Sequence, residues 1–584
     1  MSLFTRPILF LFSFAIFVAP TLTGQTAGGE WYQLHRYSGS NKGDHFGNSV
    51  SNVGDVNQDG WLDWAIGAPG EENDLGRTDA GVARVFSGKT GRVMYEWAGV
   101  ENFDHFGVSV GRGKDTNADG HPDILVGADW MDTNGLQGNG SAFLYSGLDG
   151  SLIRQWDGER SHDGFGYSVH TADDFNGDGF ADILVGAPWA DAMGSGELDV
   201  GAIYIFSGLD GSLLLRIEGE QPNDLHGQVV TGIGDLNQDG TWDFLAGSRY
   251  SNEQGKRYAG SVVAYSGVSG QVIFRISGSN PYDYLGTSIL RIGDINWDGV
   301  RDFAAGAPGT DSNGLDSGSV FVYSGVDGAL IRSHDGAQAG DFFGGTIAGL
   351  GDLDRDYVMD YAVGADHADS DGFDNSGAVY CFSGTDGRPL EEFKGPHENA
   401  YFGRAISGLG NFIANQQKGM LIGTEWSDLY GLEDSGSVDL YCYDPFLYGV
   451  GDVLYQGYQA VRIDVSDGGL LEFEIDFPDE AAGYEYRVIL SRADPASTMF
   501  RGILVPLAMD TWAVNSWHGF FPGAGVFDGF QGTLDAEGKA MARFAVAPGR
   551  LEPWHVYRVA ALALPLGSMV PAYSSGVIPI LTRD

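Results

Sequence analysis

Oxygen-bearing side chains recur in this sequence at a spacing that suits a hard cation. The pattern is Asp-x-Asn-x-Asp-Gly-x-x-Asp. It occurs as Asp55, Asn57, Asp59, Asp63; as Asp115, Asn117, Asp119, Asp123; as Asp174, Asn176, Asp178, Asp182; as Asp235, Asn237, Asp239, Asp243; and as Asp294, Asn296, Asp298, Asp302. A sixth copy has Asp352, Asp354, Asp356 and Asp360, with Tyr357 in place of the Gly. Side-chain oxygens at positions 1, 3, 5 and 9, with the backbone carbonyl of position 7 (Trp61, His121, Phe180, Thr241, Val300), match Ca²⁺, which takes roughly six to eight oxygens at ~2.3–2.6 Å. Gly at position 6 permits the sharp turn that a Cβ hinders. Position 12 is Ile66 in the first loop and Val126 in the second, so the bidentate Glu of an EF-hand is missing. Zn²⁺ would want His or Cys ligands, and Mg²⁺ a smaller octahedral set that retains water. A single such loop has an alternative reading as an Asx-rich turn without an ion; six in register point to about six Ca²⁺. A fully coordinated cation leaves no open position for a substrate water, so the ions are expected to staple the loops rather than catalyse.

Successive loops start 60, 59, 61, 59 and 58 residues apart, which makes the chain a repeat array. Each unit opens on a Phe-Gly pair (Phe46-Gly47, Phe106-Gly107, Phe165-Gly166, Phe343-Gly344, Phe402-Gly403), with His226-Gly227 and Leu285-Gly286 as variants. A short apolar run, the Asp loop and a second run ending in Gly-Ala-Pro or a variant follow, then an alternating run, a Ser-Gly-x-x-Gly turn and a fourth run. Four short strands per unit make an antiparallel sheet that can bury both faces only by stacking radially in a ring. The Phe-Gly glycines 47, 107, 166, 227, 286, 344 and 403 count seven units. In the seventh, residues 411–419 lack the carboxylates, and no ion is expected there. That unit also lacks a fourth strand, while residues 31–37 stand in fourth-strand register with no earlier unit to join. The N-terminal strand is therefore expected to complete the last blade, leaving no open edge. The predicted fold is all-β, with a seven-bladed β-propeller over residues 28–447 and a β-sandwich over 448–584, where runs at 470–477, 484–490 and 557–564 read as strands.

The chain of 584 residues carries a formal charge of -46, which disfavours nucleic acid as a partner because phosphate binding needs clustered Lys and Arg. Cys381 and Cys442 read as equivalent strand positions in successive units and as two buried free thiols. Residues 1–27 read as a secretory signal: Arg6, an apolar core, then small residues. No later run suits a membrane span, so the mature protein is expected to be secreted, extracellular or cell-surface, with the periplasm as an alternative.

The Phe-Gly, Asp-loop, Gly-Ala-Pro order resembles the FG-GAP repeat, and the sevenfold set is similar to the propeller headpiece of integrin α subunits. The resemblance covers roughly residues 30–445. It implies Ca²⁺ in loops joining first and second strands, and recognition through the opposite face. On this reading the protein is a calcium-stabilised recognition or adhesion protein binding a protein or glycan. The alternatives are an architectural surface protein, or a propeller hydrolase or lyase; no Gly-x-Ser-x-Gly, His-Glu-x-x-His or Cys/His pair supports catalysis. The residue three places after the Gly of each Gly-Ala-Pro variant is Gly70, Trp130, Trp189, Tyr250, Gly309, His367 or Trp426. Symmetry places Trp130, Trp189, Tyr250, His367 and Trp426 around the axis on the recognition side. They read either as rim packing or as an aromatic cage for a sugar or a cation, with Asp129, Asp366 and Glu425 favouring the cation.

Overall fold

The structure is a computed structural model that describes residues 30–444, except 74, 172–173, 412–417 and 429–431, together with strand segments between 461 and 583. The expected signal at 1–27 lies outside the described residues. Two compact units divide the chain. One is Glu30–Phe446; the other takes in the remaining residues, from Leu447 onward and before Glu30.

Seven four-stranded antiparallel sheets build the first unit. In blade 1 the strands are Ser49–Gly54, Asp63–Ala68, Val82–Phe86 and Val93–Ala98. The second strand of each blade is mostly apolar because neighbouring blades cover both its faces; every residue of Asp63–Ala68 and of Asp123–Ala128, the leading Asp included, is buried. The fourth strands form the outer rim and are less covered; every residue of Val93–Ala98 is exposed or half-buried. The first strands neighbour one another around the axis, and that of blade 1 lies against those of blades 2 and 7.

The ring closes as the register of residues 31–37 predicts. Glu30–Ser38 pairs antiparallel with Ser437–Asp444, the third strand of blade 7, so the first and last strands of the propeller unit share one sheet. Arg36 and Gln33 of the closing strand converge on the buried Asp439: Arg36 Nε and Nη2 donate at 2.5 and 2.6 Å, and Gln33 Nε2 at 2.7 Å.

The two glycine motifs meet each other between blades. A Cβ on Gly67 would lie 1.9 Å from the Gly107 carbonyl oxygen of the next blade, and one on Gly423 would lie 2.3 Å from that of Gly47, across the closure. Only Gly admits this approach. Ser49, Ser109 and Ser168 strengthen it by donating their hydroxyls to the next blade's Phe-Gly carbonyl at 2.8, 2.8 and 2.9 Å.

The pairing corrects the expectation for the cysteines. Val379 pairs with Gly364 and Val438 with Gly423, so Cys381 corresponds to Leu440, and Cys442 to Ser383. Both are buried and outside any disulfide.

In the C-terminal unit, Gly469–Asp476, Glu485–Ser491 and Val556–Leu564 are strands, within two residues of the expected bounds. One sheet runs through Val461–Asp464, Ile578–Arg583, Val556–Leu564, Glu485–Ser491 and Gln531–Thr533; a second joins Gly469–Asp476, Lys539–Val546 and Val526–Asp528.

Candidate metal centres and the opposite face

Each acidic loop joins the first strand of a blade to the second and winds around the carboxylate at position 1. In the first loop Asp55 Oδ1 and Oδ2 accept the N–H groups of Asp59 and Gly60 at 3.0 and 2.9 Å, Asn57 Oδ1 accepts that of Asp59 at 3.0 Å, and Asp59 Oδ1 accepts that of Trp61 at 3.0 Å. The loops beginning at Asp115, Asp174, Asp235 and Asp294 repeat this set. The donors at positions 1, 3 and 5 are thus oxygens of one short turn, which is the set a hard cation takes.

Position 9 holds a different post. Asp63 is fully buried; its Oδ2 accepts the N–H of Val56 at 2.8 Å and its Oδ1 that of Gly88 at 2.7 Å. Asp123, Asp182, Asp243, Asp302 and Asp360 do the same with Gly147, Gly208, Gly267, Gly325 and Gly384. Burial pushes the carboxyls of Asp63, Asp123, Asp182 and Asp360 up to about 6, against the pull of these N–H donors. A carboxylate has about four lone-pair sites, so this anchoring leaves capacity for a cation.

The glycines that bind position 9 belong to the Ser-Gly-x-x-Gly turn after the third strand, read from sequence only as a turn. Its serine reaches the same loop: Ser146, Ser207 and Ser324 donate to Asp119, Asp178 and Asp298 at 2.9, 3.1 and 3.1 Å. One dipeptide therefore grips the acid loop twice. In blade 7 the register puts Cys442-Tyr443 where blade 6 has Ser383-Gly384, and the carboxylates have gone with it. This joint loss was the signal in the sequence that the serine and the acids act together. The expectation of no ion at 411–419 concerns residues of which 412–417 lie outside the described residues; at the loop's edge Lys418 Nζ donates to Asn411 Oδ1 at 2.5 Å.

In the sixth loop Asp352, Asp354 and Asp356 bring carboxylate oxygens within 4.8 Å of one another. Arg388 offsets the added charge by donating to Asp354 at 2.8 Å. Tyr357 takes φ 72°, where Gly60 and Gly120 take 89° and 90°, so the turn is kept at a steric cost.

The five aromatic candidates lie on the face opposite the acidic loops, where second strands end. They form separate groups between blades. Trp130 and Trp189 have ring centroids 6.3 Å apart; Trp426 meets His45 at 4.8 Å; His367 lies between Phe342 and Tyr401 at 4.7 and 4.9 Å; Tyr250 joins Tyr258 and Tyr284 at 5.4 and 5.8 Å. Trp130 and Trp426 are exposed. The acidic neighbours are already engaged: Arg404 bridges Asp366 and Glu425 at 3.1 and 2.7 Å, and His105 stands 3.4 Å from Asp129. Two of the three carboxylates expected to draw in a cation thus have one from the chain itself.

Comparison with known proteins agrees with this geometry. The FG-GAP repeat family model matches residues 46–86 and 165–206. Integrin alpha-5 of Xenopus laevis is 28% identical over 233 residues, 37% of this chain and 21% of that protein. Integrin alpha-3 of Cricetulus griseus is 30% identical over 216 residues, 34% of this chain and 19% of its own length. Phosphatidylinositol-glycan-specific phospholipase D of Bos taurus is 27% identical over 379 residues, 56% of this chain and 45% of that protein. The chain thus spans less than half the length of each of these relatives. No helix among the described residues is long and apolar enough to cross a membrane. The chain carries FG-GAP repeats within an integrin α-like seven-bladed propeller.

Proposed function

We propose that this is an exported, Ca²⁺-stabilised recognition protein that binds a protein or glycan partner through the face opposite its acidic loops. The observation that carries this reading is the division of labour between the two faces. Six oxygen-rich loops occupy one, and the aromatic groups around Trp130, Trp189, Tyr250, His367 and Trp426 gather on the other. Ca²⁺ would be held by positions 1, 3, 5 and 9 and the position 7 carbonyl of each loop. Bound there, it would neutralise the carboxylates and tie the inner hairpin to the Ser-Gly turn. The similarity to integrin α subunits supports recognition rather than catalysis.

The test is a glycan and surface-protein binding array with and without Ca²⁺, followed by the Trp130→Ala, Trp189→Ala double variant on whatever binds. Calcium-dependent binding lost in the double variant supports the reading. Undiminished binding would leave the two tryptophans as packing residues, and an empty array would discard recognition.

The similarity to a phosphatidylinositol-glycan-specific phospholipase D gives a second reading, an enzyme. Hydrolysis of a phosphatidylinositol glycan by the purified chain would promote it.

A further inference from the structure

Blade 4 breaks the charge pattern of the recognition face. Its loop between second and third strands, residues 249–260, carries Arg249, Lys256 and Arg257 against one acid, Glu253. The six corresponding loops carry two to four acids each and, among them all, the single base Arg77. Glu253 is itself engaged by Arg275 at 2.9 Å. Neither Arg249 nor Arg257 forms an ion pair among the described residues; each lies over a tyrosine instead. Arg249 stands 4.7 Å from the Tyr250 centroid and donates to its hydroxyl at 2.9 Å. Arg257 stands 4.7 Å from Tyr258 and 6.0 Å from Tyr282. Tyr284 completes the patch, 5.8 Å from Tyr250 and 6.3 Å from Tyr282.

The backbone gives an independent sign. Two residues before the Gly that opens each third strand the chain takes φ of 48–55°. Five blades place Asp79, Asp199, Asp316, Asn375 and Asp434 there, and one places Gly138, all residue types that tolerate this region. Blade 4 places Tyr258 there at φ 52°. A bulky residue in the left-handed region is costly, and at this position the other six blades avoid that cost. Backbone bonds hold the arrangement: the N–H of Tyr282 donates to Arg257 O at 2.8 Å and that of Tyr284 to Tyr258 O at 3.2 Å.

We propose that Arg249, Tyr250, Arg257, Tyr258, Tyr282 and Tyr284 form a docking surface for an acidic peptide segment of a partner protein. The proposal rests on the recognition reading above and names the partner's chemistry. Tyrosine and arginine dominate energetic centres of protein interfaces because they offer large contact area with hydrogen-bonding edges. Guanidinium groups without a carboxylate of their own can take bidentate carboxylates from outside. Guanidinium stacking also occupies phenol faces that a neutral sugar would need, which favours an acidic peptide over a glycan. Concentrating base here, on a chain of charge -46 that repels acidic partners elsewhere, gives such a partner one place to land.

The experiment uses the full chain in Ca²⁺ and a fluorescein-labelled peptide of alternating Glu and Gly, titrated by fluorescence polarisation at two salt concentrations. A Gln-Gly peptide and a uronate oligosaccharide serve as the other arms. Salt-sensitive binding of the Glu peptide alone is expected, weakened about tenfold or more in Arg257→Gln and in Tyr258→Asn. Tyr258→Asn copies the Asn375 of blade 6, so its melting temperature should hold or rise, which separates lost binding from lost fold. Glu-peptide binding unchanged in both variants overturns the proposal, as does binding of the uronate oligosaccharide in place of the peptide, or of neither. If the array finds a ligand sensitive to Trp130 while the Glu peptide does not bind, this surface is wrong and the recognition reading stands.

Discussion

Two kinds of aspartate share each acidic loop and differ in what they hold. Asp178, at position 5, is half-exposed to solvent and turned into its own loop, whereas Asp182 is buried with the N–H groups of Phe175 and Gly208 on its two oxygens at 2.7 and 3.1 Å. Asp182→Ala strands those donors and should cost roughly 2–4 kcal/mol even in chelator. Asp178→Ala should cost less than about 1 kcal/mol in chelator and show its effect only with Ca²⁺, by removing one ion. Denaturant melts in both conditions, with ion counting by native mass spectrometry, check this; equal effects in chelator would erase the distinction. His226 is a second residue with a readable signature. It fills the Phe slot of its Phe-Gly pair, its ring nitrogens meeting Ser248 Oγ at 2.6 Å and the Tyr265 hydroxyl at 3.0 Å. Burial lowers its pKa from 6.5 to about 3. The unfolded chain therefore takes up a proton that the folded chain refuses as pH falls below about 6.5, and this group's stabilisation declines over that window. Relative to a His226→Phe, Ser248→Ala variant, which restores the pair found in blade 1, the parent should lose about 2 kcal/mol between pH 8 and pH 5. Parallel pH profiles for the two proteins would refute it.

At the scale of the element, the closing strand Glu30–Ser38 bears the most weight. It joins the N-terminus of the propeller to its last blade and carries Arg36 to the buried Asp439. Asp439 has a side-chain exposure of 1%, and removal of its cation leaves a buried charge. Arg36→Ala should therefore destabilise by roughly 3–5 kcal/mol. Deleting residues 28–38 should open the ring and lower the melting temperature further, since it also bares the edge of Ser437–Asp444. A deletion variant that melts like the parent would show that the ring does not depend on this strand.

For the whole molecule, the six loops make cation binding and folding one equilibrium. Extracellular Ca²⁺ modules often bind at about 10⁻⁴–10⁻³ M. At ~2 mM Ca²⁺ and the tighter of these affinities each site would add about 2 kcal/mol. Chelation should therefore lower the melting temperature by several degrees, and should do so more at low salt, where carboxylate repulsion on a chain of charge -46 is least screened. An unchanged melting curve in chelator would remove Ca²⁺ from the account of stability.

The repeat, the strand order, the blade number and the closing role of residues 31–37 were legible in the sequence because they follow from local patterns repeated in register. The acidic positions were legible too, since a turn of nine residues is a local object. Partners distant in sequence were not. The second role of Ser-Gly, the anchoring of position 9 and the meeting of Gly67 with Gly107 depend on contacts between hairpins and between blades. The cysteine register failed because counting along the chain missed a two-residue offset that strand pairing fixes. Symmetry put the aromatic residues at the ends of the second strands, but their division into separate groups, and the pairing of Asp366 and Glu425 with Arg404, were decided by which side chains the neighbouring blade brings. Periodicity carries the backbone from one blade to the next; the charge and shape of the face depend on residues that differ from blade to blade, and only their packing says which of them meet.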